Sequence, residues 1–82
     1  MVEWHKVRHP TGAERAWRAE VKAPDGGIVV LAVWRKYKSA GYGFEARLFR
    51  GMKILDQEFG TRYTLGGAKQ AARDVLKRWR GN

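Results

Sequence analysis

The sequence predicts an α+β fold: a five-stranded antiparallel β-meander with one C-terminal α-helix packed on one face. Residues 64–80 repeat Leu65, Ala68, Ala72, Val75, Leu76 and Trp79 at steps of three and four, the spacing that aligns one face of a helix. Upstream, apolar and polar residues alternate in short runs separated by glycine-rich breaks, which is the signature of consecutive strands. No upstream stretch has helical periodicity, so the apolar stripe of the helix must bury itself on the sheet.

The chain supports each element in turn. Residues 2–9 form a ragged first strand, with Val2, Trp4 and Lys6 alternating with Glu3, His5 and Val7, and Pro10, Thr11 and Gly12 break it. Residues 15–23 alternate cleanly: Trp17, Ala19, Val21 and Ala23 against Arg18, Glu20 and Lys22. Pro24-Asp25-Gly26-Gly27 then favours a type I turn with a glycine bulge, because proline pre-sets one φ and glycine accepts a positive one. Residues 28–38 are apolar on both faces as far as Trp34. This suits a central strand, but either face would be acceptable in the core, so its register stays open. Residues 42–50 set Tyr42, Phe44, Ala46 and Leu48 against Glu45, Arg47 and Phe49. Residues 52–59 form the last strand, with Leu55 and Phe59 expected to join Phe44 and Ala46 in the core. Thr64 can cap the helix by accepting from a free backbone amide, and Gly81 marks its end.

Eighty-two residues without a cysteine bound the problem: one domain, no disulfides, no thiolate metal site, and a cytoplasmic setting as the expectation. No apolar run is long enough to span a membrane, and the first ten residues have no signal-peptide core. Seventeen Lys and Arg against eight Asp and Glu leave a formal charge of +9, which favours polyanionic partners, nucleic acid first.

Little in the sequence points to catalysis. His5 and His9 share strand parity but lack the further ligands a metal needs, so no metal and no cofactor is expected. Gly66-Gly67 fall in the first helical turn, where close packing is the simpler reading than an anion cradle. Asp56 and Glu58 share one strand face, with Glu45 expected across from them and with Arg47 and its neighbours as ion-pair partners rather than acid–base pairs. What remains is a set of cations with interleaved aromatics. Arg35, Lys36, Tyr37 and Lys38 are followed by Arg47, Arg50 and Lys53, and Arg15, Arg18 and Lys22 lie on the neighbouring hairpin. Together they can tile one side of the sheet for phosphate contacts or groove readout, with Tyr37 and Tyr42 available to stack on bases. The bland alternative is a solvated rim that guards strand edges. Trp34, Phe49, Met52 and Ile54, with Val30, instead suggest an apolar patch for a protein partner or a homodimer, unless the N-terminal strand and its loop cover it.

The stretch GYGFEARLFRGMKILDQEFGTRYTLGGAKQAARDVL resembles the last two strands and helix of plant ethylene-response-factor DNA-binding domains. It is also similar to the N-terminal DNA-binding domains of some phage integrases. The aromatic Phe44 followed by Ala46 and Arg47, then Gly60-Thr61, Thr64 and the alanines Ala68, Ala71 and Ala72, carry the likeness. Phe44 stands where the plant domains usually have tryptophan, and the first hairpin has no clear counterpart. In those families the sheet lies in the major groove, which implies that Arg47 and Glu45 face DNA. The whole chain also looks like the small orphan proteins of actinobacterial phages, many of which bind host proteins. The expectation is a non-enzymatic nucleic-acid-binding protein, DNA favoured, using the open sheet face. The alternative is a protein-interaction module that binds a host protein.

Overall fold

The structure, a computed structural model, describes residues 2–8, 15–23, 26–35 and 41–79. Within them, five strands and one helix follow one another: β1 (His5–Val7), β2 (Ala16–Lys22), β3 (Ile28–Arg35), β4 (Tyr42–Arg50), β5 (Lys53–Arg62) and α1 (Leu65–Trp79). The strands form one antiparallel sheet in chain order, each paired with its sequence neighbours.

The turns follow from their glycines. The Ala23 carbonyl accepts from Gly26 N–H at 3.1 Å and the Ala23 N–H donates to Gly27 O at 2.8 Å, with Gly26 at φ +88°. This is the expected bulged hairpin. Between β4 and β5, Arg50 pairs with Lys53 across a two-residue loop whose first position, Gly51, has φ +61°.

β3 is the central strand, and pairing with both neighbours settles its register. Val29, Leu31 and Val33 turn fully inward, beside Ala19 of β2 and Phe44 and Ala46 of β4. The helix covers this face with Ala68, Ala71, Ala72, Val75 and Leu76, all buried, while Leu65 and Trp79 pack at its ends half-buried. Its alanines leave room for the backbone to approach β3 and β4 closely. The first turn is capped as expected: Gly67 N–H donates to Thr64 Oγ1 at 3.0 Å. At the other end Arg78 Nη2 donates to both oxygens of Glu58 at 2.7 Å, tying α1 to β5.

Several expected boundaries move. β1 spans only His5–Val7 rather than 2–9; Val2 and Trp4 pack on the core without joining the ladder, and His9 lies outside the described residues. β3 is described to Arg35, so the expected extension through 36–38 falls outside those residues, as does Gly81. β5 begins at Lys53 and continues past Phe59 to Arg62. Gly60 stays in the ladder, with the Phe44 ring 3.0 Å from where a side-chain carbon on it would stand. Leu55 and Phe59 do not join the core. Register slips by one residue at Leu48/Phe49, which leaves Leu55 at the bulge, and Phe59 pairs with Glu45 on the opposite face. They are 49 % and 70 % exposed. Glu58 and Gly60 take the inward positions instead, opposite Ala46 and Phe44.

Candidate nucleic-acid interface

No described element packs on the other face of the sheet, and strand pairing fixes its contents row by row. From the β2–β3 turn onward these run Lys22, Ile28, Phe49, Ile54; then Glu20, Val30, Arg47, Gln57; then His5, Arg18, Ala32, Glu45, Phe59; and last Val7, Ala16, Trp34, Gly43, Thr61. The floor around Val30, Ala32 and Phe49 is a shallow concavity of about 610 Å³, bordered by Arg18, Arg47 and Glu45.

Charges on this face are largely paired. Arg18 Nη2 lies 3.1 Å from Glu20 Oε1, and Arg47 Nε forms an ion pair with Glu45 Oε1. Each pair is spaced i, i+2 along one strand, so both members project to the same side. Arg18 and Glu45 share one row and Glu20 and Arg47 the next, so the signs alternate around Val30 and Ala32. The face is therefore an apolar floor with a nearly balanced border.

This changes the distribution of the expected site residues. Of the cations, the open face holds Arg18, Lys22 and Arg47. Arg35 does not join them: it continues the inward parity of Val29, Leu31 and Val33 and stands on the helix side, opposite Tyr42. Arg50 and Lys53 pair with each other at the far hairpin with the parity of Leu48, again not that of Arg47. Lys36, Tyr37 and Lys38 lie outside the described residues. Among the described residues a single cationic face does not form, because period-two alternation divides residues that are neighbours in sequence. Trp34, Phe49 and Ile54 do share the open face, whereas Met52 is at the hairpin tip, fully exposed. Glu45 is not across from Asp56 and Glu58 on their face; Glu58 takes Arg78 and not Arg47.

Three further cations meet at one end of the sheet. At the end of the sheet nearest the start of α1, Arg35 of β3, Tyr42 of β4 and Arg62 of β5 form one row on the helix side. Arg15 adjoins it, its carbonyl accepting from Arg35 N–H at 2.8 Å. All three arginines are exposed. Arg62 Cζ lies 5.1 Å from the centroid of the Phe44 ring, and its Nη1 donates to Thr61 O at 2.7 Å. Behind the row, Lys69 Nζ sits 5.6 Å from the Trp4 ring and 5.4 Å from the Trp17 ring, and Trp17 stands at 6.4 Å from Tyr42. Such contacts hold the cations near aromatic surface while leaving their outer sides in water. Sequence spacing did not reveal this row, because Arg15, Arg35 and Arg62 are distant in the chain and meet only through strand pairing.

Among the described residues no three His, Cys, Asp or Glu side chains converge in a way that could hold a metal ion, and no helix is long and apolar enough to cross a membrane. Comparison with protein-family models, curated proteins and solved structures finds no match.

Proposed function

We propose that this protein binds nucleic acid, and that it contacts the phosphate backbone with the cationic end of its sheet rather than with the centre of the open face. The observation that carries this reading is the row of Arg35, Tyr42 and Arg62 with Arg15 beside it, on a chain of charge +9. Exposed guanidinium groups spread across neighbouring strands suit a line of phosphates, and Tyr42, half-buried between them, offers an aromatic edge for a base. On the open face, by contrast, a phosphate approaching Arg18 or Arg47 also meets Glu20 or Glu45.

A salt titration of binding to duplex and single-stranded oligonucleotides tests this. Replacing both Arg15 and Arg35 with alanine is expected to lower the log–log salt slope by about 1.8 on duplex DNA, roughly 0.9 per lost phosphate contact. Replacing Arg18 and Arg47 is expected to change it less. No binding to any oligonucleotide at low salt refutes the proposal. An equal loss from replacing Arg73 and Lys77 on the helix reduces it to unspecific attraction.

A second reading, a protein partner on the open face, is favoured by a different observation. Ile28 and Ile54 are each 46 % exposed and flank Phe49 beside the apolar floor. Glutamates placed at Ile28 and Ile54 should then abolish binding to such a partner while leaving the salt slope on oligonucleotides largely unchanged.

A further inference from the structure

The two edges of the sheet differ in kind. β1 closes one side with three residues, one of them Lys6, and is too short and too charged to template another strand. β5 closes the other with ten residues, among which neither lysine nor proline occurs between Ile54 and Thr61. No described strand lies outside it. Phe59, near its middle, is 70 % exposed.

The outward-facing backbone groups of β5 follow from two contacts. Gln57 N–H does not go to β4; it donates to the Oδ1 of its own neighbour Asp56 at 2.8 Å. At the far end the Arg62 carbonyl points back toward the β4 side, where it lies 2.7 Å from the position a side-chain carbon on Gly41 would occupy. Alternation along the strand then turns the N–H and C=O groups of Gln57, Phe59 and Thr61 outward, unpaired by β4.

We infer that β5 is a homodimerisation edge, on which a second copy of this chain adds its own β5 antiparallel with Phe59 opposite Phe59 on the two-fold axis. The sequence of the strand selects this register. Centring on Phe59 sets Gln57 opposite Thr61 of the second copy and Asp56 opposite its Arg62. Asp56 and Arg62 share the helix-side parity, so the opposed pair meets on one face, twice by symmetry. Centring on Gln57 opposes Asp56 to Glu58, and centring on Glu58 opposes that carboxylate to itself. Centring on Gly60 separates the phenylalanines. The bulge at Leu55 ends the pairing on one side, which confines it to a short segment of defined register. The product is one continuous sheet, five strands from each copy, with both helices on the same face. In it, Asp56 gives up its local bond to Gln57 N–H and Arg62 its bond to Thr61 O, and the two side chains pair with each other across the axis while the freed backbone groups join the ladder. This inference does not rest on nucleic-acid binding; it commits Arg62 to the dimer and leaves Arg15 and Arg35 of the cationic row for phosphate.

Sedimentation of the full chain over a micromolar to submillimolar range tests it. The wild type is expected to form a dimer. Phe59→Lys is expected to be monomeric, since it removes the aromatic pair and sets two like charges on the axis. Asp56→Arg and Arg62→Asp should each weaken association by about tenfold or more, through like-charge opposition at both symmetry-related pairs. The double variant, carrying both exchanges, should restore the dimer. Asp56, Phe59 and Arg62 are all exposed, and circular dichroism checks that each variant keeps its fold. A wild type that stays monomeric throughout, a dimer that survives Phe59→Lys, or a double exchange that does not recover would each overturn the assignment. A monomer would leave the edge to an extended segment of some other protein.

Discussion

Two glycines in the strands answer to the rings beside them. The Trp34 ring lies across Gly43 so closely that a side-chain carbon built there falls 2.5 Å from it, and the Phe44 ring lies 3.0 Å from the equivalent point at Gly60. Neither glycine has a positive φ, so the requirement is for space and not for backbone freedom. Gly43→Ala is therefore expected to cost about 1–3 kcal/mol by forcing the indole aside. In a Trp34→Ala background the same change should be close to neutral, since glycine itself weakens a strand. A double-mutant cycle from urea unfolding measures the difference, and equal costs in both backgrounds would show that Trp34 is not the obstacle. The glycines are plain in the sequence, but which ring each serves is not: Trp34 reaches Gly43, and Phe44 reaches Gly60, only through strand pairing.

Elements with one buried face are the most legible in the sequence. β2 and β4 show strict alternation, and their inward sets, Trp17-Ala19-Val21 and Phe44-Ala46-Leu48, are those the pattern implies. The helix is equally clear because its stripe runs along its whole length, and a single threonine announces its cap. The expectation for β5 fails because it is an edge strand crossed by one end of the helix. Its apolar residues are not the ones that turn inward, and a bulge breaks their parity. The cations scatter for the same reason: sequence proximity says little about which side of a sheet a residue occupies. Within α1, Leu76 is 4 % exposed, and Leu76→Ala is expected to cost about 2–5 kcal/mol in thermal or denaturant unfolding. Thr64→Ala should cost about 1 kcal/mol through loss of the bond to Gly67 N–H. The Arg78–Glu58 pair, although doubly bonded, has its side chains 60 % and 41 % exposed, so breaking it should cost at most about 1 kcal/mol. An unchanged midpoint for Leu76→Ala would mean that the helix does not supply the cover described.

At the scale of the molecule, strand order equals chain order. Among the described elements only the helix reaches back across the sheet, packing on β3, β4 and β5. The face it covers carries the apolar core: Val29, Leu31, Val33, Phe44 and Ala46 have no other described element as a roof. During synthesis, then, all five strands emerge from the ribosome before the segment that shields them. A nascent chain ending at Thr64 carries a sheet with both sides largely bare, which is the condition under which partly made β-proteins stick to one another. A fragment stopping at Thr64 is accordingly expected to bind the dye ANS and to be cut rapidly by protease, with resistance gained when the peptide of residues 65–79 is supplied in trans. A fragment as resistant as the whole chain would contradict this. The hairpins can pair as they appear, but the protein becomes a folded object only once α1 has been made. A chain cut short before α1 is therefore expected to behave as a chaperone client and not as a shorter version of the same domain.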